Sequence, residues 1–149
     1  MKKFRYSMQN ILDVKYRLEE VAKGEYSVAQ GLLNEELRKL DLLYTQLREY
    51  EEELVRLVSG KLDFREITFQ KNAIEHKKNM IKEQKKNVIA AEKVVEKARK
   101  KLNDVMVERK THELLKERSL EQYMKDLNKE EATEVDELVS FRYNGSKDE

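Results

Sequence analysis

The 149-residue chain carries 31 basic and 30 acidic residues, no Cys, no Pro and only 4 Gly. Near-neutrality leaves no basic excess for a dedicated nucleic-acid binder, and the absence of Cys removes disulfides, thiolate metal sites and thiol chemistry while suiting a reducing cytoplasm. With 41% charged residues and no Pro, whose ring is excluded from helix interiors, the composition points to long helices that are apolar only along a stripe.

The opening MKKFRYSMQNILDV is basic but lacks a continuous apolar run, which predicts no signal peptide. Nowhere do roughly twenty apolar residues follow one another, as a membrane span requires. The first helix is expected over about 4–58. Leu40, Leu43, Leu47, Tyr50, Leu54 and Leu57 recur at alternating steps of three and four, the rhythm of a coiled-coil seam. Upstream the seam reads through Leu18, Ala22, Tyr26, Ala29 and Leu33, where two successive steps of four around Ala22 resemble a stutter.

Residues 59–63 are the expected turn. Gly60-Lys61 resembles the end of a phosphate loop, but that loop needs a preceding strand, a glycine where Val55 stands and Ser or Thr where Leu62 stands. Gly60 is better read as a left-handed residue ending the first helix, and Asp63 as the cap of the second.

The second helix is expected over about 64–141, followed by a flexible tail at 142–149. Its seam runs through Ile67, Ile74, Ile81, Val88, Ala91, Val95, Ala98, Leu102 and Val105. If the helices fold back about Gly60, facing residues have a constant sum of positions. Leu54 with Ile67, Leu47 with Ile74, Leu40 with Ile81, Leu33 with Val88 and Tyr26 with Val95 all sum to 121. Ala29 with Ala91, Ala22 with Ala98 and Leu18 with Leu102 sum to 120, so small faces small and bulky faces bulky. Flanking charges suit this register: Glu35 and Glu36 lie level with Lys86 and Lys85, Glu20 with Lys101, and Arg17 with Asp104. Lys77 falls on the seam opposite Leu43, with a stem that covers apolar surface and an ammonium expected to reach water. The fold class is therefore all-α: a single domain over 1–149, a long antiparallel two-helix coiled-coil hairpin whose second helix extends beyond the first.

Catalytic chemistry finds no foothold in this pattern. His76 lies on a polar face beside Lys77 and Lys78, while His112 follows the second seam and is expected to pack against the start of the first helix. No pair of His at i, i+4 exists to hold a metal, and two paired helices offer no concave, desolvated pocket to tune a carboxyl group. The sequence reads as non-enzymatic and without a cofactor. Residues 77–101 hold ten Lys/Arg against three Glu. They form a solvated outer face, partly balanced by Glu35, Glu36 and the acidic stretch 49–53, or they await an acidic partner. No aromatic residue lies between Phe69 and Tyr123, so base stacking has no platform. Beyond the level of Phe4, the stretch SLEQYMKDLNKEEATEVDELV has no expected partner within the chain, yet carries Leu120, Tyr123, Met124, Leu127, Val135 and Leu138. Such a stripe is a binding surface or an oligomer contact unless the helix frays.

The start KKFRYSMQNILDVKYRLEEVAKGEYSVAQ and the tail ERKTHELLKERSLEQYMKDLNKEEATEVDEL resemble the flagellar export protein FliJ family. The resemblance implies a cytoplasmic component of the flagellar type III export apparatus, held at the inner face of the cell membrane through that apparatus, with no membrane insertion and no nucleic acid. It implies a coiled coil like the central stalk of rotary ATPases, which promotes the hexamer ring of the export ATPase FliI and binds the export gate FlhA and export chaperones. On this resemblance Phe4, Ile11, Leu120, Tyr123, Met124 and Leu127 face the ATPase. Phe69, Ala73, Lys77, Met80 and Gln84 face the gate, although the family's gate patch is mostly small or apolar where Lys77 and Gln84 stand. The hairpin alone leaves two other readings open, a stalk of a virulence type III system and a generic coiled-coil tether.

Overall fold

The computed structural model describes residues 3–147. Two helices, α1 (Gln9–Ser59) and α2 (Phe64–Lys147), account for nearly all of it, and no strand occurs among the described residues. The fold is an all-α antiparallel two-helix coiled-coil hairpin. The chain divides into two compact units, Glu20–Asn103 and the pair Met1–Glu19 with Asp104–Glu149.

In the Glu20–Asn103 unit, α1 and α2 pack along their seams. Ala22, Ala29, Ile67, Ile74, Ile81 and Val88 are buried, while the leucines of α1 that face the isoleucines remain half-exposed, since two helices alone cannot enclose a core. Register is visible in two side-chain bonds to backbone: Gln84 donates to the Glu36 carbonyl at 2.9 Å, and Gln70 to the Tyr50 carbonyl at 3.0 Å. Both pairs sum to 120, the value expected for the intervening layers. The flanking charges choose other partners. Lys101 reaches Glu25 rather than Glu20, Glu35 turns to Arg38, and Lys86 to Glu83.

The turn corrects one expectation and supports another. Gly60 has no positive φ, and a Cβ added there would meet only the Arg56 carbonyl at 3.8 Å, an ordinary contact. The end of α1 is instead closed by Ser59, whose hydroxyl donates to the Val55 carbonyl at 2.6 Å. Asp63 does cap α2: its carboxylate accepts the Arg65 N–H at 3.0 Å, and its carbonyl accepts the Ile67 N–H, also at 3.0 Å.

In the terminal unit α1 begins at Gln9, later than the expected position 4, because residues 3–8 form a non-helical lead-in whose Tyr6 carbonyl accepts the Gln9 N–H. Its seam also differs from the apolar pattern. Leu18 is exposed and Glu19 is buried at 4% exposure. The positions Leu12, Lys15, Glu19, Ala22 and Tyr26 keep regular steps of three and four, so no stutter interrupts the heptads. No ion pair joins Arg17 to Asp104 among the described residues. Helix α2 runs to Lys147, through most of the stretch expected to be a flexible tail; positions 148 and 149 lie outside the described residues.

Candidate partner-binding surfaces

Two surfaces hold the residues singled out by sequence, one in each unit. In the terminal unit the lead-in places Phe4 against Tyr123, with ring centroids 5.5 Å apart and planes tilted by 50°. Phe4, Tyr123 and Leu127 are half-buried, whereas Ile11, Leu120 and Met124 are exposed. The stretch expected to be wholly unpartnered is thus covered in part, because the lead-in reaches across α2. From 128 to 145 every residue is exposed.

Beneath this patch lies a charge cluster that the apolar pattern hides. Arg109 donates to both carboxylate oxygens of Glu19, at 2.6 and 3.1 Å, and to Glu113 at 3.0 Å. The Tyr16 hydroxyl donates to the other oxygen of Glu113, and Lys15 pairs with Glu108 at 2.9 Å. These bonds set the titration of the groups. The Tyr16 hydroxyl, followed by the Arg109 guanidinium, holds the Glu113 carboxyl below the usual range, and Lys15 does the same for Glu108. Bonding to Glu113 raises the Tyr16 hydroxyl above its ordinary value. Nearby, His112 is half-buried, and its Nδ1 is buried without a hydrogen-bond partner. His76 is exposed.

In the hairpin unit Phe69 is 74% exposed and forms a wall of a hollow of about 580 Å³ beside the turn, lined also by Glu53, Arg56, Leu57, Arg65, Glu66 and Gln70. Met80 is exposed and Ala73 half-buried. No group of carboxylates and histidines among the described residues is placed to hold a metal ion. No helix among them is long and apolar enough to cross a membrane.

The family model described as flagellar FliJ protein matches residues 4–148. The chain belongs to the flagellar FliJ family. Among solved structures, a YscO homologue from Chlamydia trachomatis has the same fold, with a TM-score of 0.76, 20% identity and 99% of each chain covered. No curated protein matches the sequence. FliJ-family membership makes the chain a non-catalytic component of type III export.

Of the gate-facing residues inferred from the FliJ resemblance, Lys77 and Gln84 lie beneath the surface. Lys77 is 9% exposed, and its ammonium donates to Gln46 at 3.0 Å and sits 5.3 Å from the Tyr50 ring centre rather than reaching water. Gln84 bonds the backbone and carboxylate of Glu36. Both fill seam positions, so Phe69, Ala73 and Met80 are what remains accessible of that set. The buried charge of Glu19 was the residue sequence reasoning missed; strict seven-residue counting from Leu12 through Tyr26 would have found it.

Proposed function

We propose that this FliJ-family chain is a cytoplasmic, stalk-like partner of the export ATPase ring of FliI, linking it to the gate FlhA and assisting export chaperones. The observation that carries the reading is the terminal patch. Phe4 clasps Tyr123, and beside the clasp Leu120 and Met124 leave apolar surface exposed on a helix that continues uncovered to residue 145. Apolar side chains presented on a stiff helix suit insertion into a hydrophobic collar, since their burial stabilises by roughly 1.5–3 kcal/mol per large side chain. Phe69, Ala73 and Met80 of the hairpin unit are the surface offered to the gate, with Lys77 and Gln84 supporting it from beneath. Association through these two surfaces would hold the chain at the inner face of the membrane without inserting it.

The test is stimulation of the purified export ATPase. Replacing Leu120, Met124 and Leu127 together by Ala should abolish stimulation while circular dichroism shows unchanged helix content. Unchanged stimulation would remove the ring assignment. A virulence-type stalk is the second reading, supported by the shared fold with the YscO homologue. Pull-down from the native cytoplasm, followed by assay of the recovered ATPase, separates the two.

A further inference from the structure

Helix α1 carries a second apolar stripe that its partner helix does not use. Val21, Val28 and Leu32 recur on one flank at multiples of the three-four rhythm, and Val28 and Leu32 are 64% and 58% exposed. Beside this stripe, Leu32 joins Ala90 and Val94 of α2 in a groove of about 280 Å³ lined also by Ala29, Glu36, Asn87 and Ala91. A cavity of about 150 Å³ already accepts a benzene ring, so this groove has room for branched side chains. The α1 side is nearly free of charge. Between 24 and 34 only Glu25 is ionised, and Lys101 neutralises it at 2.9 Å. The α2 side is basic: residues 85–101 hold seven Lys/Arg against two Glu. Among the described residues, Lys93 and Lys97 form no ion pair with a carboxylate, and Lys100 acts on Glu96 only through its field.

The complementary chemistry occurs in the same chain. Residues 130–139, EEATEVDELV, hold five carboxylates and no basic residue, with Val135, Leu138 and Val139 exposed on the helix. As helix, ten residues span about 15 Å, close to the roughly 16 Å from Val21 to Leu32. The segment cannot turn back onto its own groove, because Val94 and Val135 belong to the same unbroken helix α2.

We propose that residues 130–139 of one copy dock along the Leu32–Ala90–Val94 groove of a second copy and onto the exposed Val28 of the same helix, as an acidic third helix against the basic flank of α2. The docked segment lies past Leu120 and Met124, so this contact is distinct from the ATPase-facing patch. A reciprocal exchange closes at two copies, whereas a non-reciprocal one propagates.

Sedimentation of the full chain over a range of concentrations tests this. Self-association is expected, weakening at least tenfold from roughly 0.1 to 1 M salt, where the screening length falls from about 10 to about 3 Å. Val28→Lys with Val94→Lys should weaken it at least tenfold with helix content unchanged, both positions being more than half exposed. Lys93→Glu with Lys97→Glu should do the same, as should Glu130→Lys with Glu134→Lys. Joining the two reversals in one chain should restore association to within about threefold. A monomer at every soluble concentration overturns the proposal. So does association that these substitutions leave untouched, that Leu120→Ala with Met124→Ala abolishes instead, or that the double reversal fails to rescue.

Discussion

The phase of the α1 seam in the terminal unit can be tested by three substitutions whose ranking reverses between two readings. The apolar pattern puts Leu18 on the seam and Glu19 outside it; the structure exposes Leu18 and buries Leu12 and Glu19. Leu12 is the one large side chain among the described residues below 2% exposure, so Leu12→Ala should cost about 2.5–4 kcal/mol from lost transfer and the cavity left behind. Leu18→Ala removes a side chain already 43% exposed, and solvent fills the space, so its cost should stay below about 1 kcal/mol. Glu19→Ala removes a carboxylate that accepts two guanidinium bonds in a nearly dry site. Breaking a buried pair costs about 3–5 kcal/mol, but Arg109 keeps Glu113 at 3.0 Å, which places the expectation near 2–3 kcal/mol. Urea unfolding followed by circular dichroism reads all three. With slopes of about 1–3 kcal/mol per molar, the midpoint should fall by roughly 1 M or more for the first and third variants. If Leu18→Ala lowers the midpoint as far as Glu19→Ala does, the heptad assignment is wrong.

Other outcomes follow from the turn, the helix glycines and the charge cluster. Gly60→Ala should be neutral or stabilise by up to about 1 kcal/mol in the same urea assay, because the backbone there suits any residue; a left-handed glycine would instead make it costly. Asp63→Ala should lose about 1 kcal/mol with the cap. Gly24→Ala and Gly31→Ala meet nothing within 4 Å, so each should raise stability by about 0.5–1 kcal/mol through helix propensity alone. Acid should loosen the terminal unit. Glu108 and Glu113 titrate below the ordinary carboxylate value of about 4.3, so their bonds contribute fully above that pH and are lost as pH falls through and below it. Tyr16 titrates above its ordinary value, so its contribution holds below about pH 10 and is lost at higher pH. Amide exchange across 104–116 as a function of pH checks both limits, and protection indifferent to acid would contradict the assignment.

The fold was legible because two physical rules act on the whole sequence at once. A chain without Pro cannot easily break its helices, and an apolar three-four rhythm that reverses about residue 60 can only be buried by doubling back. The layer sums hold in the side-chain bonds of Gln84 and Gln70. What stayed hidden was polar. An apolar count passes over Glu19 and Gln84 as breaks in a seam, although each is buried because a partner on the other helix satisfies it, and the ammonium of Lys77, itself placed on the seam, bonds Gln46 where water was expected. The Phe4–Tyr123 clasp was equally invisible, since a non-helical lead-in folding across α2 leaves no periodic trace. At Gly60 residue type misled: the composition suggested a left-handed stop, while Ser59 closes the helix by bonding back to Val55.

These polar layers explain how so regular a seam keeps one register. Sliding α1 past α2 by one heptad would still set Leu against Ile along most of the Glu20–Asn103 unit, so apolar burial discriminates weakly between alignments. The polar residues do not tolerate the slide. It would put Gln84 level with Ala29 or Leu43, and Glu36 level with Lys77 or Ala91, so the Gln84 amide would lose both of its Glu36 acceptors inside the interface. A buried donor left unsatisfied costs about 1–3 kcal/mol, and Lys77 would lose Gln46 and the Tyr50 ring in the same step. Each polar layer therefore lowers the best attainable burial while raising the energy of every wrong alignment by more. Phe69, Ala73 and Met80 lie on α2 between and beside those layers. Fixing the register is thus also what holds that surface in a constant relation to α1.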